Sequence, residues 1–222
     1  VLGPGEDDVF DAVVKATESP HIRFVEWGSG DELQARVIEV LVEELGLAGP
    51  EDISGFDETL GGNAWKNLMF FNFGAATRAE GWQILSPVRA GVQGVAHLNR
   101  LIHKQFRQPQ IDASRLEGYK RKYPKPMGPE EIVYGDKVIN LVNTDPSLWW
   151  NKHRKVYPEK DSPFIANGEI GMAIGFFHKR GLPDLRWKLE VEFSSQPGYK
   201  YNFTNRDFGE EANPVLELAY AL

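Results

Sequence analysis

Apolar residues recur at helical spacing in two long stretches of this chain. In "GSGDELQARVIEVLVEELGL" (Gly28 to Leu47), Leu33, Val37, Val40, Leu41 and Leu45 share one face, with Ser29 or Asp31 as cap. In "GVQGVAHLNRLIHKQFR" (Gly91 to Arg107), Val95, Leu98, Ile102 and Phe106 point inward on a second helix. "HIRFVEW" (His21 to Trp27) and "WQILSP" (Trp82 to Pro87) are short apolar runs that predict strands. "GEDDVFDAVVKATES" carries its acids first and Val9, Phe10, Val13 and Val14 after them, a short helix stopped by Pro20. Residues 48–80 are Gly- and Asp-rich around "NLMFFNF" and have no clear period. Residues 21–107 thus predict strand, helix, excursion, strand, helix, the order of a parallel α/β layer.

The pattern changes after Gln108. "RLEGYKRKYPKPMGPEE" is basic and contains proline, and it predicts a linker. Short strand-like runs follow: "DKVINLVN", "GMAIGFF", "RWKLEVEF" and "YKYNF", separated by Gly and Pro. Gly135-Asp136 and Asn167-Gly168 are tight-turn signals, because these residues tolerate positive φ. Close spacing of short strands predicts a small β-barrel or sandwich. The last ten residues, "NPVLELAYAL", stop while the apolar pattern still runs, and the first residue is Val1. Both ends suggest a piece excised from a longer parent.

Composition sets bounds. The 222 residues are 41% hydrophobic and 26% charged, with a formal net charge of -7. An acidic balance argues against general coating of nucleic acid or an anionic membrane, though it permits a local basic patch. With no cysteine, disulfides, thiolate metal sites and Cys nucleophiles are excluded, and a reducing cytoplasm is the expected compartment. No long uncharged apolar run is present, so no membrane partner is expected. No Lys is followed by Ser or Thr, which excludes a complete phosphate-binding P-loop. No G-x-S-x-G elbow and no H-E-x-x-H pair occur. The histidines at 21, 97, 103, 153 and 178 lack metal spacing; His97 and His103 fall on different faces of one helix and read as surface residues. No metal site is expected.

Three stretches carry candidate chemistry. Arg89 follows the "WQILSP" strand and precedes a helix. Ligands bind at that end of open α/β sheets, and a guanidinium there can reach a phosphate. The alternative is an ordinary surface arginine. Two cationic islands stand against the acidic background, "YKRKYPK" (Tyr119 to Lys125) and "LWWNKHRKVY" (Leu148 to Tyr157). In the second, Trp149 and Trp150 beside Lys152, Arg154 and Lys155 offer base stacking next to phosphate-binding cations, the combination that holds single-stranded nucleic acid. Alternatively one tryptophan fills the core and the cations are merely solvated.

In order along the chain, "SPVRAGVQGVAHLN", "GDKVINLVN", "ANGEIG" and "LELAYAL" resemble the C-terminal half of a superfamily 1 DNA helicase of the RecD-like and UvrD-like kind. That family carries "TP-x-x-x-G-x-x-G-x-x-x-LN" in its second motor domain, with Ser86 standing here for Thr. It then carries "GD-x-V-x-x-x-x-N" and "x-NGE-x-G" in an inserted SH3-like barrel, and returns to the motor domain through a segment like "LAYALT". The resemblance implies a partial RecA-like layer at 1–118 with an insertion at about 48–80. It further implies a linker and SH3-like β-barrel at 119–210 and a truncated return segment at 211–222. Arg89 becomes a nucleotide phosphate contact. ATP and Mg²⁺ are expected in the parent and none bound to this piece. The partners would be single-stranded or duplex DNA and the missing first motor domain. The Walker motifs and the final arginine motif are absent, so the piece alone is expected to be inactive. Rival classes are a non-catalytic SH3-like adaptor that binds a peptide and a nuclease on a helicase-like scaffold; the latter would need clustered carboxylates.

Overall fold

The computed structural model describes residues 23–66, 68–116, 123–143, 149–151, 164–174, 188–208 and 214–222. The expected helix before Pro20 lies outside them.

The first amphipathic pattern forms α1 (Gly30–Glu44). Ser29 caps it, its Oγ accepting from the Glu32 amide at 3.2 Å, while Glu32 folds back to accept from the Gly28 amide at 2.8 Å. Leu33 and Leu41 are buried, and Val37, Ile38, Val42 and Leu45 pack against the core. Residues 23–27 form no strand, contrary to expectation. They meet no ladder partner among the described residues, and Phe24, Val25 and Trp27 remain exposed.

The unpatterned stretch is ordered. It folds into α2 (Ile53–Thr59), β1 (Gly62–Trp65), β2 (Leu68–Phe71) and α3 (Ala75–Ala79). Asp52 caps α2, accepting from the Gly55 amide at 2.9 Å. Phe56, Leu60, Phe71, Ala75, Ala76 and Ala79 enter the core. Helix α4 (Val95–Arg115) is longer than its pattern predicts and runs through Pro109. Leu98, Ile102, Phe106 and Ile111 are buried, and Phe106 stacks on Phe56 with centroids 4.0 Å apart.

The strand-like runs form β3 (Lys137–Asn140), β5 (Ile170–Ile174), β6 (Leu189–Phe193) and β7 (Tyr199–Phe203). With β4 (Trp149–Asn151) and β8 (Leu216–Leu218) they make one sheet in the order β4-β7-β6-β5-β3-β8. Every pairing in it is antiparallel. Among the described residues the molecule is therefore mixed α/β, with a two-stranded and a six-stranded sheet, both antiparallel and neither closed.

The expected parallel layer is not what these sheets provide. Within 21–107 the first expected strand does not form, and β1 and β2 lie too close in sequence for the helix-length crossover that parallel neighbours need, so they pair antiparallel. "WQILSP" contributes a single parallel bridge, Ile84 to Ala221. Helices and sheet share one apolar core that runs from Leu41 to Tyr220. Even the polar face of β6 is covered: Glu192 accepts from the Gly74 amide at 2.7 Å at the start of α3, and from Gly198 at 2.9 Å. Among the described residues no helix is long and apolar enough to cross a membrane.

Candidate functional site

The Arg89 loop is built from two segments far apart in sequence. Residues 82–86 lie alongside 220–222 in parallel. The Ile84 amide donates to the Tyr220 carbonyl at 3.3 Å, Leu222 to Ile84 at 3.0 Å and Ser86 to Leu222 at 2.8 Å. Beyond Pro87 the chain doubles back onto the start of α4. Val95 donates to the Val88 carbonyl at 3.0 Å, and Ala96 to the Arg89 carbonyl at 3.2 Å. The Ser86 hydroxyl donates to the Gln93 carbonyl at 2.8 Å. The spacing of the two loop glycines follows from this shape. Gly91 has φ +87°, and a Cβ on Gly94 would stand 2.5 Å from the Ala90 carbonyl oxygen.

This closure has a chemical consequence. A helix N-terminus binds anions through amides left without partners. Here the amides of Val95, Ala96 and His97 already donate to loop and cap carbonyls. Anion binding at this place must therefore rest on side-chain cations. Arg89 supplies one. Its side chain is 74% exposed, and its guanidinium reaches both Glu217 oxygens, at 2.9 and 3.1 Å. An ion pair so exposed contributes roughly 0–1 kcal/mol, so exchange of Glu217 for a phosphate costs little. Arg100 lies one turn into α4, its Nε donating to the Ala96 carbonyl at 2.9 Å. Arg89, His97 and Arg100 line a cleft of 410 Å³, and among the described residues the Nε2 of His97 is buried with no hydrogen-bond partner.

Behind the loop lies a knot of buried polar groups. Asn99 donates to the carbonyls of Leu218 at 2.9 Å and Ala221 at 3.0 Å, and accepts from the Ala221 amide at 2.8 Å. One turn on, His103 Nε2 meets Asp136 Oδ2 at 3.0 Å. Asp136 also accepts from the Val133 amide at 2.7 Å and from the Tyr220 hydroxyl at 2.7 Å. Another turn on, Arg107 donates from Nε to the Tyr220 oxygen at 3.2 Å and pairs with Asp57 and Asp136. Burial pushes the Asp136 carboxyl up, but His103, Arg107 and the Val133 amide overcome it and hold it below the ordinary carboxylate range. For His103 burial lowers the pKa, and Asp136 more than restores it, leaving it raised. The start of β3 buries Lys137, whose Nζ donates to the Trp82 carbonyl at 2.7 Å and lies 4.9 Å from the Trp82 ring centroid. Desolvation brings that lysine down to about 8.

No protein-family model matches this chain, and no curated protein matches it.

Two of the expected site residues have only their backbone described. Trp149 and Trp150 lie in β4, paired with Tyr201 and Lys200 of β7. Lys152, Arg154 and Lys155 lie outside the described residues. β4 is one edge of the large sheet and β8, which carries Glu217, is the other. The two groups predicted from sequence are therefore not brought together: Arg89 sits at the β8 edge and the tryptophans at the β4 edge. His103, expected on the surface, is buried because its face of α4 packs against Asp136. Asp57, Arg107 and Tyr220 were not predicted as a group. The signal was nonetheless present, since Asn99, His103 and Arg107 recur every four residues as a polar stripe beside the apolar one.

Proposed function

We propose that this chain is part of the second motor domain of a superfamily 1-type DNA helicase, with the antiparallel sheet as the counterpart of its SH3-like insertion. One observation carries the reading. The segments that suggested the family from sequence are bonded to one another. Asn99 of the first motif clamps the last, through Leu218 and Ala221. Tyr220 of the last reaches Asp136 of the second. Asn140, in the second, donates to the Ala166 carbonyl at 2.9 Å beside the "NGE" turn. Four stretches far apart in sequence form one coupled unit (for example Asn99 with Ala221, 122 apart).

The parallel pairing of 82–86 with 220–222, followed by α4, supports a RecA-like half. Both segments end on the side where Arg89 emerges, the side on which open α/β sheets bind ligands. The residues here fit a contributor to a nucleotide site rather than its holder: one exposed, exchangeable guanidinium, with the helix amides occupied. ATP with Mg²⁺ would supply the transferable phosphate and be held chiefly by the first motor domain. Arg89 would offset charge that develops on that phosphate. DNA would be a partner of the parent, with Trp149, Trp150, Lys152, Arg154 and Lys155 as contacts, in the cytoplasm.

Steady-state hydrolysis tests this. The purified chain is expected to hydrolyse no ATP with or without single-stranded DNA, whereas the parent is expected to do so with DNA stimulation. DNA-stimulated turnover by the chain alone contradicts the assignment.

A further inference from the structure

The hairpin β1–β2 is anchored at its base and presented at its tip. Phe71 is buried at the base, its amide donating to the Tyr134 hydroxyl at 2.7 Å. At the tip Trp65 pairs with Leu68. Trp65 is 60% exposed. Lys66 occupies left-handed backbone at φ 48°, a conformation that favours glycine or asparagine, so a lysine is held there at a conformational cost. Its ammonium lies over the Trp65 ring, 4.6 Å from the centroid.

Below the tip opens a cleft of 640 Å³, away from the Arg89 loop. Trp65, Lys66, Tyr123, Tyr134 and Gln110 line it. Tyr123 and Tyr134 stack with centroids 5.4 Å apart. Among the described residues the Gln110 Oε1 is buried with no hydrogen-bond partner, and a buried acceptor without a donor is uncommon in folded proteins. The residues that line the cleft therefore include aromatic rings, of which Trp65 is exposed and Tyr134 buried, one lysine at the rim, and one glutamine whose buried oxygen lacks a donor. Those three features are complementary to a planar ring with an N–H edge and a nearby anion.

We propose that this cleft binds a nucleobase that carries a phosphate, stacked against the aromatic walls, its N–H edge donating to Gln110 and its phosphate at Lys66. The two sources of that chemistry are a free nucleotide and a single strand. Neither depends on the motor assignment, which rests on Arg89 and the motifs around it.

Fluorescence anisotropy of the full chain tests this, with a labelled oligodeoxyadenylate as probe and AMP or an abasic strand as competitors. Trp65→Ala is expected to weaken strand binding by about five- to a hundredfold, the range for loss of one stacked base. Because the indole is largely exposed, its thermal midpoint should stay near wild type. Lys66→Gly is expected to reduce the log–log salt slope by about 0.7 while raising the thermal midpoint, since it removes the cation and relieves the left-handed turn. Gln110→Leu should weaken binding without loss of stability. Competition by AMP assigns the site to free nucleotide; binding of the strand that AMP does not displace assigns it to nucleic acid. Unchanged affinity of Trp65→Ala, equal binding of the abasic strand, or no binding of any probe by wild type overturns the proposal. The ATPase experiments on Arg89 judge the motor reading separately.

Discussion

Two arginines, one in the loop before α4 and one within it, show how differently the same side chain can be used here. Arg89 stands in the loop before α4, 74% exposed, sharing a carboxylate that solvent also reaches. Arg107 stands three turns into α4, fully buried, with Asp57, Asp136, Tyr220 and the Gly135 carbonyl around it. In sequence Arg89 is the conspicuous one, because it sits between a strand and a glycine-flanked helix start. Arg107 looks like any basic residue on a polar helix face. Exposure leaves Arg89 free to change partners, and burial commits Arg107 to the fold.

The comparison breaks most sharply at Arg107. Arg107→Ala leaves the buried Asp57 without its cation and Asp136 with His103 alone, and loss of one partner of a buried ion pair costs about 3–5 kcal/mol. Chemical denaturation should show a loss of that order; a loss below about 1 kcal/mol would mean that the knot is not structural. Asn99→Ala removes three hydrogen bonds to 218–221 and leaves their backbone groups unpaired, at about 1–3 kcal/mol. Hydrogen exchange of the Ala221 amide should accelerate in step.

The pH dependence sharpens the same point. His103 has a raised folded pKa, so its contribution is complete below its unfolded value of about 6.5 and is lost as pH rises through the folded value. Asp136 has a lowered folded pKa, so its contribution is present above the unfolded carboxylate value of about 3.9 and is lost as pH falls through the folded value. Stability should therefore peak between the two. His103→Gln should flatten the alkaline side of a thermal-midpoint profile and leave the acid side. Arg89→Ala is expected to change stability least, by less than about 1 kcal/mol.

Much of the architecture could be read from local pattern. The helical period of Leu33 to Leu45 and of Val95 to Phe106 placed α1 and α4, and turn residues bracketed β3, β5, β6 and β7. Residues 48–80 resisted reading because α2 and α3 are only seven and five residues long, too short to establish a period. Strand direction resisted because it is decided by pairing partners, and Ile84 finds its partner at Ala221. The candidate site divides in the same way. Arg89 was singled out by its place after an apolar run, of which only Ile84 forms a bridge. The Asn99–His103–Arg107 stripe was not, because polar side chains at helical spacing look identical whether they face water or a buried carboxylate. Trp65 and Lys66 lay in the unpatterned stretch and gave no periodic signal.

Arg89 is proposed to act on a phosphate and not on the fold. The direct measurement is ATP turnover by the full-length parent with Arg89→Ala, alongside its thermal midpoint. A guanidinium that faces charge developing in the transition state should lower kcat more than nucleotide affinity, by up to about 10³-fold, with the midpoint unchanged. Wild-type kcat in that variant, or a loss of turnover explained by a lowered midpoint, would contradict the account.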